Sequence, residues 1–160
     1  MRPFNLIAAC SENRVIGRGG RLPWRIAEDR DFFMETTAGQ VVVMGRICYE
    51  TWASAAQDGR RPVVVTSRSY PPPLRAALSL PAALEVAAGL PGEIFVCGGQ
   101  RIFEEAIGMP AAARLHLTLV HEVVTGDRTF PDWTGIFTRE VARREGSGDG
   151  LRYTFLTLER

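Results

Sequence analysis

The sequence predicts an α/β protein with a mixed, mainly parallel central sheet flanked by helices and ending in a C-terminal antiparallel hairpin. Three observations predict it. Short β-rich apolar runs recur with helix-like segments between the early ones, the pattern of βαβ units. Two of the runs, VVVMG and IFVCG, are continuous rather than alternating, as expected of strands covered on both faces. The C-terminal part instead carries alternating runs around the stretch GSGDG, which reads as the tip of a hairpin.

The elements follow in order. FNLIAAC (4–10) is the first strand, and AEDRDFFMETT (27–37) the first helix. VVVMG (41–45) leads directly into a helix RICYETW (46–52), and PVVVT (62–66) is the next strand. The Pro triplet at 71–73 reads as a surface loop, followed by a helix PAALEVAAG (81–89). IFVCG (94–98) and QRIFEEAI (100–107) form another strand and helix, joined by glycines that punctuate the boundary. RLHLTLV (114–120) alternates, YTFLTLE (153–159) does so loosely, and GSGDG (146–150) joins REVARRE to the last strand. No linker, repeat or low-complexity boundary interrupts the chain, so one domain over residues 1–160 is expected.

Composition narrows the function classes. A formal charge of +1 with scattered basic residues sets up no broad field for nucleic acid or an acidic membrane, so any anion site must be local. Cys10, Cys48 and Cys97 are odd in number and far apart, which suits a reducing compartment better than a disulfide framework. With only His116 and His121 and no CxxC, no metal site is expected. The N-terminal PFNLIAAC is too short and lacks the flanks of a signal peptide, and no apolar run approaches membrane-spanning length. A cytoplasmic location follows as the expectation.

Two kinds of site stand out. If a helix starts near Ile26, a 3.6-residue period puts Ile26, Asp29 and Phe33 on one stripe with Phe32 flanking it, and Asp31 and Glu35 opposite. Asp29 thus shares a face with aromatics. A carboxylate there is a buried hydrogen-bond hub or a functional acid, whereas Glu28 better suits service to the helix dipole. Three strand ends also look like anion cradles: Gly45-Arg46 opening a helix, Gly98-Gly99 before another, and Thr66-Ser67-Arg68 after PVVV. Ligands of open α/β sheets sit outside such carboxyl ends. Together, without GxGxxG or a Walker motif, they suggest a dinucleotide held in a non-Rossmann way.

The order LIAAC, NRVIG, LPW with a carboxylate five residues after the Trp, VVVMGR then YE, GRR before a strand, VTSR, CGGQRIFEE, LHLT, GDRTFPD and YTFLTLER resembles dihydrofolate reductase nearly end to end. The resemblance implies that family's fold and the reduction of 7,8-dihydrofolate to tetrahydrofolate by NADPH. It assigns Asp29 to the pterin 2-amino group and N3, with Thr118 hydrogen-bonded to that acid. Trp24 orders a water near the pterin, and Leu22 sits in a mobile loop that closes over the nicotinamide. Ile7, Ala8, Phe33 and Cys97 join them at the substrate, and Arg60 matches the arginine that pairs with the substrate glutamate α-carboxylate. Arg46 falls to the cofactor pyrophosphate and Ser67 with Arg68 to the 2′-phosphate. Ala9, Ile16, Gly45, Ile47, Cys48, Thr66, Cys97, Gln100, Arg101, Ile102 and Phe103 complete the cofactor set. Gly98-Gly99 is expected to hold a non-proline cis bond, and Gly126 and Asp127 match the loop that backs the lid.

Arg30 and Trp52 stand where the family usually places smaller aliphatic or aromatic residues around the aminobenzoyl group, Cys48 replaces a usual Thr or Ser, and Phe103 takes a position often held by Tyr. Gln100 replaces a common third Gly or Ala. Two alternatives stay open on the sequence: another pterin or pyrimidine reductase of the same fold, and a nucleotide-binding domain weakened in catalysis. Asp29 with Arg60 argues against the first, and the retained acid with the lid motif against the second. A monomer acting on a small molecule, with no nucleic acid and no membrane, is the expected form.

Overall fold

The computed structural model describes residues 1–160, the side chain of Ala53 excepted. Its strands are β1 (Phe4–Ser11), β2 (Val15–Gly17), β3 (Val41–Gly45), β4 (Arg61–Val65), β5 (Arg75–Ala77), β6 (Ile94–Val96), β7 (Ala112–Val120), β8 (Arg128–Thr129), β9 (Arg139–Gly148) and β10 (Leu151–Glu159). The α-helices are α1 (Ala27–Thr37), α2 (Arg46–Glu50), α3 (Leu80–Ala88) and α4 (Gln100–Ile107). One eight-stranded sheet runs in the order β5-β4-β3-β6-β1-β7-β10-β9, and β2 pairs with β8 in a separate antiparallel ribbon. From β5 to β7 every pair is parallel; β10 runs antiparallel to β7 and to β9. The fold class read from the sequence is the one observed.

The continuous apolar runs are explained by two covered faces. On β3, Val41 and Val43 join Leu80, Leu84, Ile102 and Ile107 of α3 and α4. Val42 and Met44 point the other way, into a cluster with Ile7, Phe33, Trp52 and Cys97. A strand with apolar contacts on both sides has no reason to alternate. Cys10, near the end of the central strand β1, is fully buried.

The elements depart from expectation in detail. The second helix stops at Glu50 instead of reaching Trp52, because the Trp52 N–H turns back to the Tyr49 carbonyl at 2.9 Å. The strand read as 94–98 ends at Val96, and the following Gly98-Gly99 peptide is cis. β2, β5 and β8, each two or three residues long, have too few residues to show a period and were not anticipated. The stretch read as a hairpin tip is mostly strand: β9 continues to Gly148, and the turn is Asp149-Gly150, with φ of 55° and 78°. Positive φ at both central residues is what a two-residue hairpin with native twist requires. Among the described residues, no helix is long and apolar enough to cross a membrane.

Candidate active site

The site is built where α1 lies against the parallel part of the sheet. Asp29 sits in the first turn of α1, 8% exposed, and its Oδ1 accepts a 2.6 Å hydrogen bond from the Thr118 hydroxyl on β7. Thr118 is itself buried and lies opposite Ala9 of β1. Burial pushes the Asp29 carboxyl above its ordinary range, and the Thr118 bond opposes that only in part. Phe33, one turn on, packs against Trp52 with ring centroids 5.0 Å apart. Ile7 and Cys97 border the same cluster. An acid, a bonded hydroxyl and an aromatic wall suit a flat heteroaromatic ring bearing N–H donors.

At the far end of this wall Arg60 is buried, its side chain 4% exposed. Its Nε donates to the Thr37 hydroxyl at 3.0 Å, Nη2 donates to the Met34 carbonyl, and Nη1 pairs with Asp58 at 2.8 Å. The guanidinium also lies 5.1 Å from the centre of the Trp52 ring. A solvated surface arginine, the plain alternative for a GRR sequence, is thereby ruled out. All three guanidinium nitrogens are engaged by the protein, Nη2 also lying 3.8 Å from the Met34 Sδ, so a further acceptor would meet a guanidinium already held in place.

At the ends of β3 and β6, backbone replaces side chains. The Gly45 N–H donates to the Gly98 carbonyl at 2.9 Å, joining the ends of β3 and β6. Gly98 has φ of 117°, and a Cβ on it would lie 3.1 Å from Cε2 of Phe103 and 3.5 Å from Sγ of Cys48. Only glycine meets both demands. Gly99 caps α4 without a side-chain hydrogen bond, so the first N–H groups of that helix are open to an anion. Two glycine-lined strand ends and an uncapped helix fit the pyrophosphate of a dinucleotide. Ile102 and Phe103 are buried beneath this turn and Phe103 packs on Phe130 at 4.8 Å. The Gln100 side chain is committed to Thr129 N–H at 3.0 Å and to Glu104 at 2.8 Å. The Gln100 side chain is thus turned away to its own partners, whereas the Ile102 side chain packs under Gly45, its Cγ1 3.7 Å from where a Cβ on that glycine would lie.

On the neighbouring strand end, Thr66 Oγ1 accepts the Arg68 N–H at 3.1 Å, and Arg68 is exposed. A feature missed in the sequence is Glu50, whose Oε1 lies 2.9 Å from Nη1 of Arg46 and 3.8 Å from Nη1 of Arg68. The i, i+4 spacing of Arg46 and Glu50 on a helix was the signal that could have found it. Leu22, 54% exposed, lies just beyond a turn in which Arg18 and Arg21 bridge around Gly19-Gly20. Behind this loop Asp127 N–H donates to the Gly17 carbonyl at 3.0 Å. A Cβ on Gly126 would lie 2.2 Å from Cγ1 of Val15, so the backing loop needs glycine there to close on β2.

A family model described as dihydrofolate reductase matches residues 3–160. The chain belongs to the dihydrofolate reductase family. The dihydrofolate reductase of Neisseria meningitidis serogroup B is 39% identical over 160 residues, covering 98% of this chain and 97% of the relative. That of Bacillus subtilis is 32% identical over 162 residues, covering 98% and 94%. Among solved structures, dihydrofolate reductase from Enterococcus faecalis complexed with NADP(H) and RAB-propyl superposes with a TM-score of 0.86 at 29% identity, covering 99% of this chain and 96% of that one.

Within this dihydrofolate reductase fold, the residues expected at the substrate fall around one wall. Ile7, Phe33 and Cys97 share a cluster, Asp29 and Thr118 are bonded, and Ala8 and Ala9 follow Ile7 along β1. Trp24 is half-buried, its indole N–H without a protein partner, and it packs beside Ile26. Those expected at the cofactor gather at the ends of β3, β4 and β6: Gly45, Arg46, Ile47 and Cys48, then Thr66 to Arg68, then Cys97 to Phe103. Ile16 stands apart from them on β2, packed on the core. Ile47 is exposed at 59%, and Arg101 is exposed too.

Proposed function

We propose that Asp29, Thr118, Trp24 and Leu22 serve the reduction of 7,8-dihydrofolate to tetrahydrofolate, with Arg60 at the substrate tail and the glycine turns at the cofactor. NADPH, when bound, supplies the hydride. The buried Asp29–Thr118 pair, whose threonine stands in the same sheet as the Gly45/Gly98 junction and is separated from β6 by the single strand β1, carries this reading, because one sheet then backs both a ring-binding acid and a dinucleotide cradle.

Asp29 orients the pterin through its 2-amino group and N3, and Thr118 fixes which carboxylate oxygen remains free. The raised affinity of the acid for a proton biases the bound ring toward protonation at neutral pH without requiring that Asp29 touch N5. Phe33 and Trp52 hold the ring and its benzoyl extension, excluding water from one side, while the Leu22 loop covers the other. Trp24 holds a water near the ring, a role that its unpartnered indole N–H supports. Arg60 presents its firmly held guanidinium to the glutamate carboxylate. Arg46 takes the pyrophosphate and Ser67 with Arg68 the 2′-phosphate, which displaces Glu50 from Arg68. The working unit is one domain, residues 1–160, monomeric, cytoplasmic and independent of nucleic acid, a form that size-exclusion chromatography and cell fractionation examine.

The deciding assay is NADPH oxidation by the purified chain, followed optically with and without dihydrofolate. Substrate-dependent oxidation that collapses in Asp29→Asn supports the assignment. Full turnover by a folded Asp29→Asn protein across neutral pH removes it.

A further inference from the structure

We infer that Glu28 is the positioning residue of the substrate acid: clasped by Tyr153 and Arg144 of the C-terminal hairpin, it holds the first turn of α1 so that Asp29 meets Thr118. The inference rests on the role proposed above for Asp29.

A helix that presents a functional carboxylate from its first turn needs that turn fixed, and the usual means is a side-chain cap. α1 has none, its N-cap being Ile26. The neighbour of Asp29 is instead tied sideways. The Tyr153 hydroxyl donates to Glu28 Oε1 at 2.7 Å, and Arg144 Nη1 donates to Oε2 at 2.7 Å. These hold the Glu28 carboxyl below its ordinary range, the Tyr153 bond contributing most.

The Arg144 contact alone is a half-exposed ion pair and would fix little. Three further observations make the clasp more than that. Tyr153 is 1% exposed, so its hydroxyl is delivered by a ring that cannot swing. The Arg144 guanidinium lies 4.3 Å from the centre of the Phe155 ring, and Phe155 packs at a tilt against Phe32 of α1, centroids 4.9 Å apart, while pairing in register with Thr118. The strand that carries the clasp is thus the one beside the strand that supplies the partner of Asp29. Finally, Gly146 of β9 leaves the space: a Cβ there would lie 2.8 Å from Glu28 Oε1 and 2.4 Å from Cε2 of Tyr153. Gly146 lies outside the left-handed region, so its lack of a side chain answers to this contact and not to backbone strain.

Other charges near the clasp are accounted for. Glu145 is committed to Thr154 at 2.7 Å and to Arg143 at 3.2 Å, and Asp149 acts on Tyr153 only through space. Asp29 itself meets Thr118 and no ionised partner. Loosening the turn therefore admits water to Asp29, and since burial is the largest cause of its raised affinity, its pKa falls toward the ordinary value.

The test compares Glu28→Ala, Glu28→Gln and Gly146→Ala with wild type and with Asp29→Asn, measuring kcat and KM for dihydrofolate against pH, and NADPH affinity by direct titration. Glu28→Ala is expected to lower kcat/KM roughly tenfold and move its pH midpoint downward, as misplacement of an orienting group does, with NADPH affinity within about twofold of wild type. Glu28→Gln, which keeps the acceptor for Tyr153, should recover most of the loss, and Gly146→Ala should reproduce it from the other side of the contact. A Glu28→Ala profile that superposes on wild type overturns the inference, as does an equal loss of NADPH affinity, which marks general loosening. If Glu28→Ala does not fold, Glu28→Gln and Gly146→Ala decide by the same two readouts. Normal turnover by Asp29→Asn would instead remove the role of Asp29; a crippled Asp29→Asn beside a normal Glu28→Ala removes the clasp alone.

Discussion

Burial raises the proton affinity of Asp29 more than the Thr118 bond lowers it, so between the unfolded and folded pKa values the native state binds more protons than the unfolded chain. Stability then falls as pH rises through that window, and the penalty is fully present above it. Asp29→Asn keeps an oxygen for the Thr118 hydroxyl and cannot ionise. It is expected to melt higher than wild type at neutral pH, with the gain shrinking in acid below the ordinary carboxylate range, while kcat/KM falls by about a hundredfold or more. Thermal melts at acid and neutral pH, paired with turnover, check both signs. Arg60 joins a structural task to the substrate role proposed for it. Arg60→Ala should raise KM for dihydrofolate at least about tenfold relative to a pterin lacking the glutamate tail. It should also cost roughly 1 to 3 kcal/mol of stability, because the Met34 carbonyl and the Thr37 hydroxyl lose their donor and the packing against Trp52 is lost. Equal KM changes for the two substrates would confine Arg60 to the structural task.

At the scale of elements, the strand ends and the lid support make separate predictions. Arg68 follows β4 and is shared with Glu50, so Arg68→Ala should reduce the preference for NADPH over NADH by about tenfold at low ionic strength and by less in salt, with turnover retained. Unchanged discrimination would move the phosphate site to Arg46. At the ribbon of β2 and β8, Gly126→Ala puts a methyl 2.5 Å from the Gly17 carbonyl. The loop must withdraw, which should cost about 1 to 3 kcal/mol and lower kcat with little change in NADPH affinity. These two elements differ in how far the sequence reveals them. The acid face of α1, the glycine turns and the covered strands follow from period and punctuation. β2 and β8 do not, because two or three residues define no period and their pairing is set by the chain meeting itself far along the sequence.

Across the whole molecule the site is a product of long-range pairing. Asp29 and Thr118 are 89 residues apart, and Glu28 and Tyr153 are 125 apart. Periodicity along α1 reveals that Asp29 turns inward; it cannot reveal which strand supplies its partner, and Thr118 was legible only through family resemblance. The clasp on Glu28 was hidden for the same reason, since a charged residue in a first helical turn has an adequate local explanation in the helix dipole.

The free thiols have one more consequence. Cys10 is fully enclosed in the central strand, its thiol pushed up to about 12, and burial likewise raises Cys48 beside the glycine turn. Burial disfavours the thiolate of both; the enclosed Cys10 labels at a rate set by how often its surroundings open, and the half-buried Cys48 at a faster one that follows the packing around the glycine turn. Cys48 therefore times the breathing of the nucleotide cradle and Cys10 that of the whole sheet. Two labelling rates read by mass spectrometry would separate local from global opening, and NADPH should slow the first far more than the second.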